Sequence, residues 1–209
     1  MNSSFAPLWL RWAREIQALA QTSIHYAENP YQIDRYKRLR EISAEIIQQY
    51  SNLSVSDMSV LFQVQTGYAT PKVDVRGAVF RDNQMLLVQE RSDGGWTMPG
   101  GWADVGDVPS QAAEREVWEE AGFRVKARRL IGVYDANRHG PLELFHAYKL
   151  VFLCDLIDGE ARPSDETSQV AFFAQDGIPQ LLSVERTSPQ QIAHAFAASA
   201  DSSFVAFFD

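Results

Sequence analysis

The chain has 209 residues, 45% hydrophobic and 22% charged, which suits one well-buried domain with a smaller appendage and argues against extensive disorder. A formal net charge of −8 gives no global attraction for nucleic acid or anionic lipid, so an anionic ligand needs local help, for which divalent cations held by carboxylates are the natural source. Cys154 is the single cysteine, so no intrachain disulfide forms, and its neighbours Leu153 and Leu156 point to a buried thiol.

In chain order, Arg11, Arg14 and Glu15 interrupt the stretch a signal peptide keeps apolar, and no run reaches bilayer length; a cytoplasmic protein without a membrane partner is expected. Trp9, Trp12, Ile16 and Leu19 recur at helical spacing, as do Leu39, Ile42, Ile46 and Tyr50, which predicts an antiparallel pair of amphipathic helices. Asn29, Pro30 and Gln32 suit a capped start for the second. Gly67, Thr70 and Pro71 break that periodicity, so residues 1–65 are expected to form an N-terminal helical domain and residues 66–209 the principal domain. Val73 to Phe80 and Met85 to Val88 read as a hairpin turning at Asp82 and Asn83. Asp93 to Gly95 and Pro99 to Gly101 are loops before a helix from Pro109 to Ala121, stopped by Gly122. Leu130 to Tyr134, Phe145 to Leu153 and Val170 to Phe173 add strands to a mixed sheet, and Ser188, Pro189 and Gln191 open a last helix carrying Ile192 and Phe196.

The helix before Gly122 concentrates the chemistry. Glu116, Glu119 and Glu120 share a sector of about 100°. Ala113, Val117 and Ala121 occupy the neighbouring sector, which can pack on a sheet. Crowded carboxylates repel one another, and Mg2+ or Mn2+, hard ions that prefer oxygen, relieve that repulsion. Three glutamates alone are more often a solvated acidic face. Arg115 lies four residues before Glu119 and can pair with it, while Gly100 and Gly101 let the backbone approach closely enough for a carbonyl to act as a further ligand.

From Gly101 to Phe123 this pattern resembles the Nudix box: glycine, five residues, an acid, seven residues, then Arg115, Glu116, Val117, Glu119, Glu120, Gly122 and Phe123. The one departure is Asp107, where the family usually has glutamate; aspartate keeps the charge and shortens the reach, so Asp107 is left out of the ligand set. The resemblance spans roughly residues 72 to 200 and implies an α/β/α sandwich around a mixed sheet. Carried over, it implies that Glu116 and Glu120 bind Mg2+ or Mn2+, that Glu119 is a ligand or a partner of metal-bound water, and that Gly100 offers its carbonyl. It also implies a general base from a loop outside the box, for which Glu166 is the matching residue.

Arg76 and Arg91 lie on the hairpin leading to the box, where guanidinium groups can clamp phosphate oxygens. Trp96 and Trp102 flank the glycines and suit either a base-covering or a core role. The segments Tyr134-Asp135-Ala136-Asn137-Arg138-His139 and Phe145 to Lys149 are similar to a Nudix subgroup with an N-terminal helical domain, linked to ADP-ribose or CDP-choline hydrolysis; on that resemblance Asp135, His139 and His146 are expected substrate contacts. The expected reaction is cleavage of the pyrophosphate of a nucleoside diphosphate joined to another group, giving a nucleoside monophosphate and a phosphorylated product. The competing readings are a pyrophosphohydrolase of RNA or nucleoside triphosphates, and a non-catalytic nucleotide sensor. The apolar stripe with Trp9 and Trp12 suggests homodimerisation, and the acidic chain disfavours nucleic acid as a partner.

Overall fold

The structure, a computed structural model, describes residues 7–50, 66–139 and 146–209, His139 by its backbone alone. Phe145, where a strand is expected to begin, lies outside them. The chain divides after Pro71 into two compact units.

The first unit holds α1 (Leu8–Tyr26) and α2 (Pro30–Tyr50). Trp9, near the start of α1, stacks on Tyr50 at the end of α2 with ring centroids 5.2 Å apart, so the helices run antiparallel. Asn29 accepts the N–H of Gln32 at 3.0 Å, and the Gln32 side chain accepts from Glu28 rather than from Asn29, one residue off a reciprocal capping box. The seam between the helices is built from smaller residues than the apolar stripe. Leu10, Ala13 and Ala20 pack with Ser43, Ala44 and Ile47, and the Ser43 hydroxyl donates to the Ala13 carbonyl at 2.7 Å. Small residues allow this close approach, which leaves Trp12 and Leu19 of the expected stripe 55% and 61% exposed.

The second unit contains β1 (Lys72–Arg81), β2 (Gln84–Glu90), β3 (Trp96–Thr97), β4 (Gly100–Trp102), α3 (Pro109–Ala121), β5 (Phe123–Asp135), α4 (Ala136–His139), β6 (Ala147–Gly159), β7 (Thr167–Phe173), α5 (Pro189–Ala200) and β8 (Phe207–Phe208). Asp82 and Asn83 both take positive φ, as a two-residue hairpin turn requires. The sheet is mixed, in the order β3-β2-β1-β6-β5-β8, with β4 on the first half of β1 and β7 on β2. β1 runs parallel to β6, and β5 pairs antiparallel with β6.

Alternation along β2 shows the layers. Met85 and Leu87 face the cluster containing Ile192 and Phe196 of α5, whereas Leu86 and Val88 face the cluster containing Val117 and Ala121 of α3. Helices therefore cover both faces, the expected α/β/α sandwich. β5 and β6 are 13 residues each, longer than the apolar pattern indicates. Their outer ends carry cross-strand ion pairs, Arg124–Asp158 and Arg128–Asp155, and charged residues of this kind hide a strand from a hydrophobicity reading.

Candidate active site

Two close approaches set α3 against the sheet. A side-chain carbon built on Gly77 of β1 would lie 2.4 Å from Val117, so only glycine lets the helix rest there. Gly100, at φ +148°, passes so near β1 that its added carbon would fall 2.0 Å from the Val75 carbonyl oxygen. Gly101 follows with the Glu116 carboxylate 3.0 Å from its own Cβ position. The acidic sector of α3 is thereby pressed against the β4 backbone.

Glu120 is buried, and its carboxylate accepts the Gly100 N–H at 2.9 Å. Burial pushes its carboxyl up to about 7 against the opposing pull of the Arg76 charge and the Gly100 hydrogen bond. Glu116 is also raised, chiefly by burial, with Arg115 opposing and Glu119 and Glu166 adding repulsion. Arg115 gathers the acidic side chains: it lies 2.8 Å from Glu116, 3.1 Å from Glu119 and 3.1 Å from Asp107. Asp107 thus meets the box arginine and accepts the Asp104 N–H at 3.2 Å.

Glu116, Glu119, Glu120 and the Gly100 carbonyl offer only oxygen donors, the set that hard divalent cations prefer. Among the described residues no three acidic or histidine side chains stand as a preformed ligand cluster. Glu116 and Glu119 are turned onto Arg115, and Glu120 onto the Gly100 N–H, so gathering about one ion requires side-chain rotation.

Glu166 sits on the exposed loop before β7, close enough to raise both Glu116 and Glu90 through its charge. Arg91 holds that loop: its N–H donates to the Glu166 carbonyl at 2.9 Å and its guanidinium to the Ser164 carbonyl at 3.3 Å. Arg76 is buried and spends its guanidinium on both oxygens of Asp74, at 2.9 and 2.6 Å, and on the Met98 carbonyl at 3.3 Å. Asp135 and His146 come together at 3.4 Å, beside a cavity of about 290 Å³ lined by Val133, Asp135, Arg138, Tyr148, Phe208 and Asp209. His139 closes α4, its side chain outside the described atoms. Trp96 packs edge-on against Phe173 at 4.8 Å, as a core residue, and Trp102 is 48% exposed beside Gly101.

Two features escaped the sequence reading. Asp74 lies two residues before Arg76, so strand periodicity places the pair on one face and offered a usable signal. Glu90 is buried at the end of β2 and pairs with Arg186 at 3.2 Å, while Arg186 also reaches the Ser183 hydroxyl at 3.1 Å. Nothing local in the sequence joins these two residues. Buried Lys149 donates to the carbonyls of Glu185 and Arg186 and holds the backbone that delivers Arg186.

The carboxylate-bearing face of α3 thus meets the glycine-lined strand β4 within an α/β/α sandwich. Residues 70–195 match the NUDIX domain, and the chain belongs to the Nudix hydrolase family, a pyrophosphohydrolase. Residues 7–62 match a model described as a UDP-X-like, N-terminal oligomerisation domain. The chain is 39% identical over 189 residues to the "Putative ADP-ribose pyrophosphatase YjhB" of Bacillus subtilis (strain 168), covering 90% of each protein. It is similar to a UDP-X diphosphatase structure (TM-score 0.62, 30% identity, 96% of this chain and 98% of that one). An ADP-ribose pyrophosphatase from Streptococcus suis 89-1591 is also similar, with TM-score 0.62 and 37% identity over 67% of this chain and all of that one.

Proposed function

We propose that the chain is a Mg2+- or Mn2+-dependent hydrolase that cleaves the pyrophosphate of a nucleoside diphosphate linked to another moiety, of the ADP-ribose or CDP-choline type. The observation that carries this reading is the approach of Glu116 to Gly101 and the hydrogen bond from the Gly100 N–H to Glu120, on the helix sector that also bears Glu119. Relatives described as acting on ADP-ribose and UDP-X, both nucleoside diphosphate-linked by name, support the substrate class. Water adds to one phosphorus, the bridging P–O bond breaks, and a nucleoside monophosphate leaves beside a phosphorylated remainder.

Glu116, Glu120, Glu119 and the Gly100 carbonyl would hold the cation, which supplies neutralisation of diphosphate charge and a lowered pKa for water. Arg115 orients Glu119 and Glu116 until they are needed. Glu166, on its loop across from α3, accepts the proton of the attacking water as general base. Arg76, paired with Asp74, and Arg91, which braces the Glu166 loop, are the proposed phosphate-facing cations. Asp135 and His146, which come within 3.4 Å of one another, are the proposed contacts for the remainder of the substrate, and His139 is kept as a contact on its sequence position alone.

The exposed apolar side chains of the helical unit, Trp12, Leu19, Tyr26 and Tyr31 among them, support a homodimer through that unit, in keeping with the oligomerisation domain its sequence matches. Among the described residues no helix is long and apolar enough to cross a membrane.

The test is a panel of ADP-ribose, CDP-choline, UDP-sugars, nucleoside triphosphates and capped RNA with Mg2+ or Mn2+, with products identified. Turnover of the diphosphate-linked compounds, abolished by chelator and restored by either metal, is expected. Release of inorganic pyrophosphate from triphosphates alone, or turnover that survives chelation, would reject the proposal.

A further inference from the structure

Glu166 is fixed through its backbone and free at its carboxylate. Its N–H donates to the Ser164 hydroxyl at 3.2 Å and its carbonyl accepts from Arg91, whereas its carboxylate takes no hydrogen bond from the described residues. The residue that ties this turn to α3 is the next one. Thr167 is fully buried; its hydroxyl donates to the Glu120 carbonyl at 2.8 Å and accepts the Ser164 N–H at 2.9 Å. A hydroxyl has one proton. With that proton given to Glu120, the 3.2 Å contact between the Ser164 and Thr167 hydroxyls must be donated by Ser164. The donor pattern around the turn is therefore fully determined.

The strand geometry points the same way. β2 and β7 slip register between Gln89 and Glu90, where Glu90 comes opposite Thr167, and such a bulge re-aims the chain at a sheet end. One hydroxyl thus joins the backbone of the residue bearing Glu120 to the turn bearing Glu166.

We propose that Thr167 is a positioning residue: by clamping the Ser164–Thr167 turn to the Glu120 carbonyl, it sets where the Glu166 carboxylate stands relative to Glu116 and Glu120. This rests on Glu166 being the general base. Misplacement of a reacting group by about 1 Å costs on the order of 100-fold in rate. Thr167→Val keeps the shape and removes the hydroxyl.

Full-length Thr167→Val, Thr167→Ser, Glu166→Gln and the Thr167→Val/Glu166→Gln double variant are compared, using ADP-ribose with Mg2+ or whichever panel compound is turned over fastest. Thr167→Val is expected to lower kcat by about 10- to 100-fold with KM within about threefold. Thr167→Ser restores kcat, and Thr167→Val adds little once Glu166 is glutamine, because the two act as one unit. A Thr167→Val enzyme at wild-type kcat overturns the inference, as does a loss that multiplies with that of Glu166→Gln, which would place the effect on Glu120 instead. Full turnover by Glu166→Gln overturns the base assignment itself and this inference with it. If Thr167→Val does not fold, Ser164→Ala removes the hydroxyl that accepts the Glu166 and Thr167 N–H groups and donates to the Thr167 hydroxyl, loosening the turn while the Thr167 hydroxyl keeps the Glu120 carbonyl as its acceptor. A kcat loss in that variant that vanishes in the Glu166→Gln background supports the inference, and an unchanged kcat overturns it.

Discussion

Glu120 is the side chain on which burial and charge conflict most. Its carboxyl ordinarily titrates near 4.5 and is pushed up to about 7 by burial, so in the metal-free protein it contributes stability that is full below about pH 4.5 and lost as pH rises through 7. Glu90 and Glu116 are raised in the same direction. Thermal melts in chelator are therefore expected to fall in Tm between pH 5 and pH 8. Glu120→Gln should flatten that decline, removing up to about 3 kcal/mol of pH-dependent stability, and lower turnover at least about 100-fold when metal is supplied. A variant that melts with the wild-type pH slope contradicts the burial argument. Helical spacing made it legible that Glu116, Glu119 and Glu120 share one sector of α3, and the resemblance to the Nudix box supplied their reading as ligands. Glu90 and Arg186 were not legible, since their pairing exists only once β2 and the segment after β7 have met.

At the level of elements, the contact between α3 and β1 is set by a missing side chain. Gly77→Ala drives a methyl group into Val117, a β-branched residue with little rotamer freedom in a helix. The expected cost is about 1–3 kcal/mol, read as a Tm drop of several degrees, and Val117→Ala in the same chain should recover most of it. A single variant as stable as the wild type would mean that the helix can shift freely. The sequence showed these elements unevenly. The hairpin of β1 and β2 and the helix α5, with its Ser188–Gln191 capping box, carry strong local signals. The long arms of β5 and β6 do not, because their exposed charges are stabilised across the strands rather than along them. In α1 the apolar stripe was read as a surface for pairing, and the seam with α2 went unread because alanine and serine, which carry little apolar signal, occupy it.

For the molecule as a whole, the helical unit leaves large apolar side chains in water, a costly arrangement for an isolated chain and a useful one for a paired chain. Removing residues 1–64 should convert a dimer to a monomer when mass is measured in solution by light scattering, and an unchanged mass would place the interface on the second unit. The sheet order has a further consequence, for biosynthesis. The centre of the sheet is β1, and its parallel neighbour β6 follows it by some seventy residues, while β7, which completes β2, arrives later still. A ribosome that has already released the entire acidic helix holds a hairpin and a helix with no third layer to close on. Pairings this distant in sequence form slowly, and the apolar faces of β1 and β2 stay open meanwhile. Emergence of the last third of the chain is the step at which the enzyme becomes both folded and safe from self-association, and translational pauses upstream of β6 would lengthen the vulnerable interval.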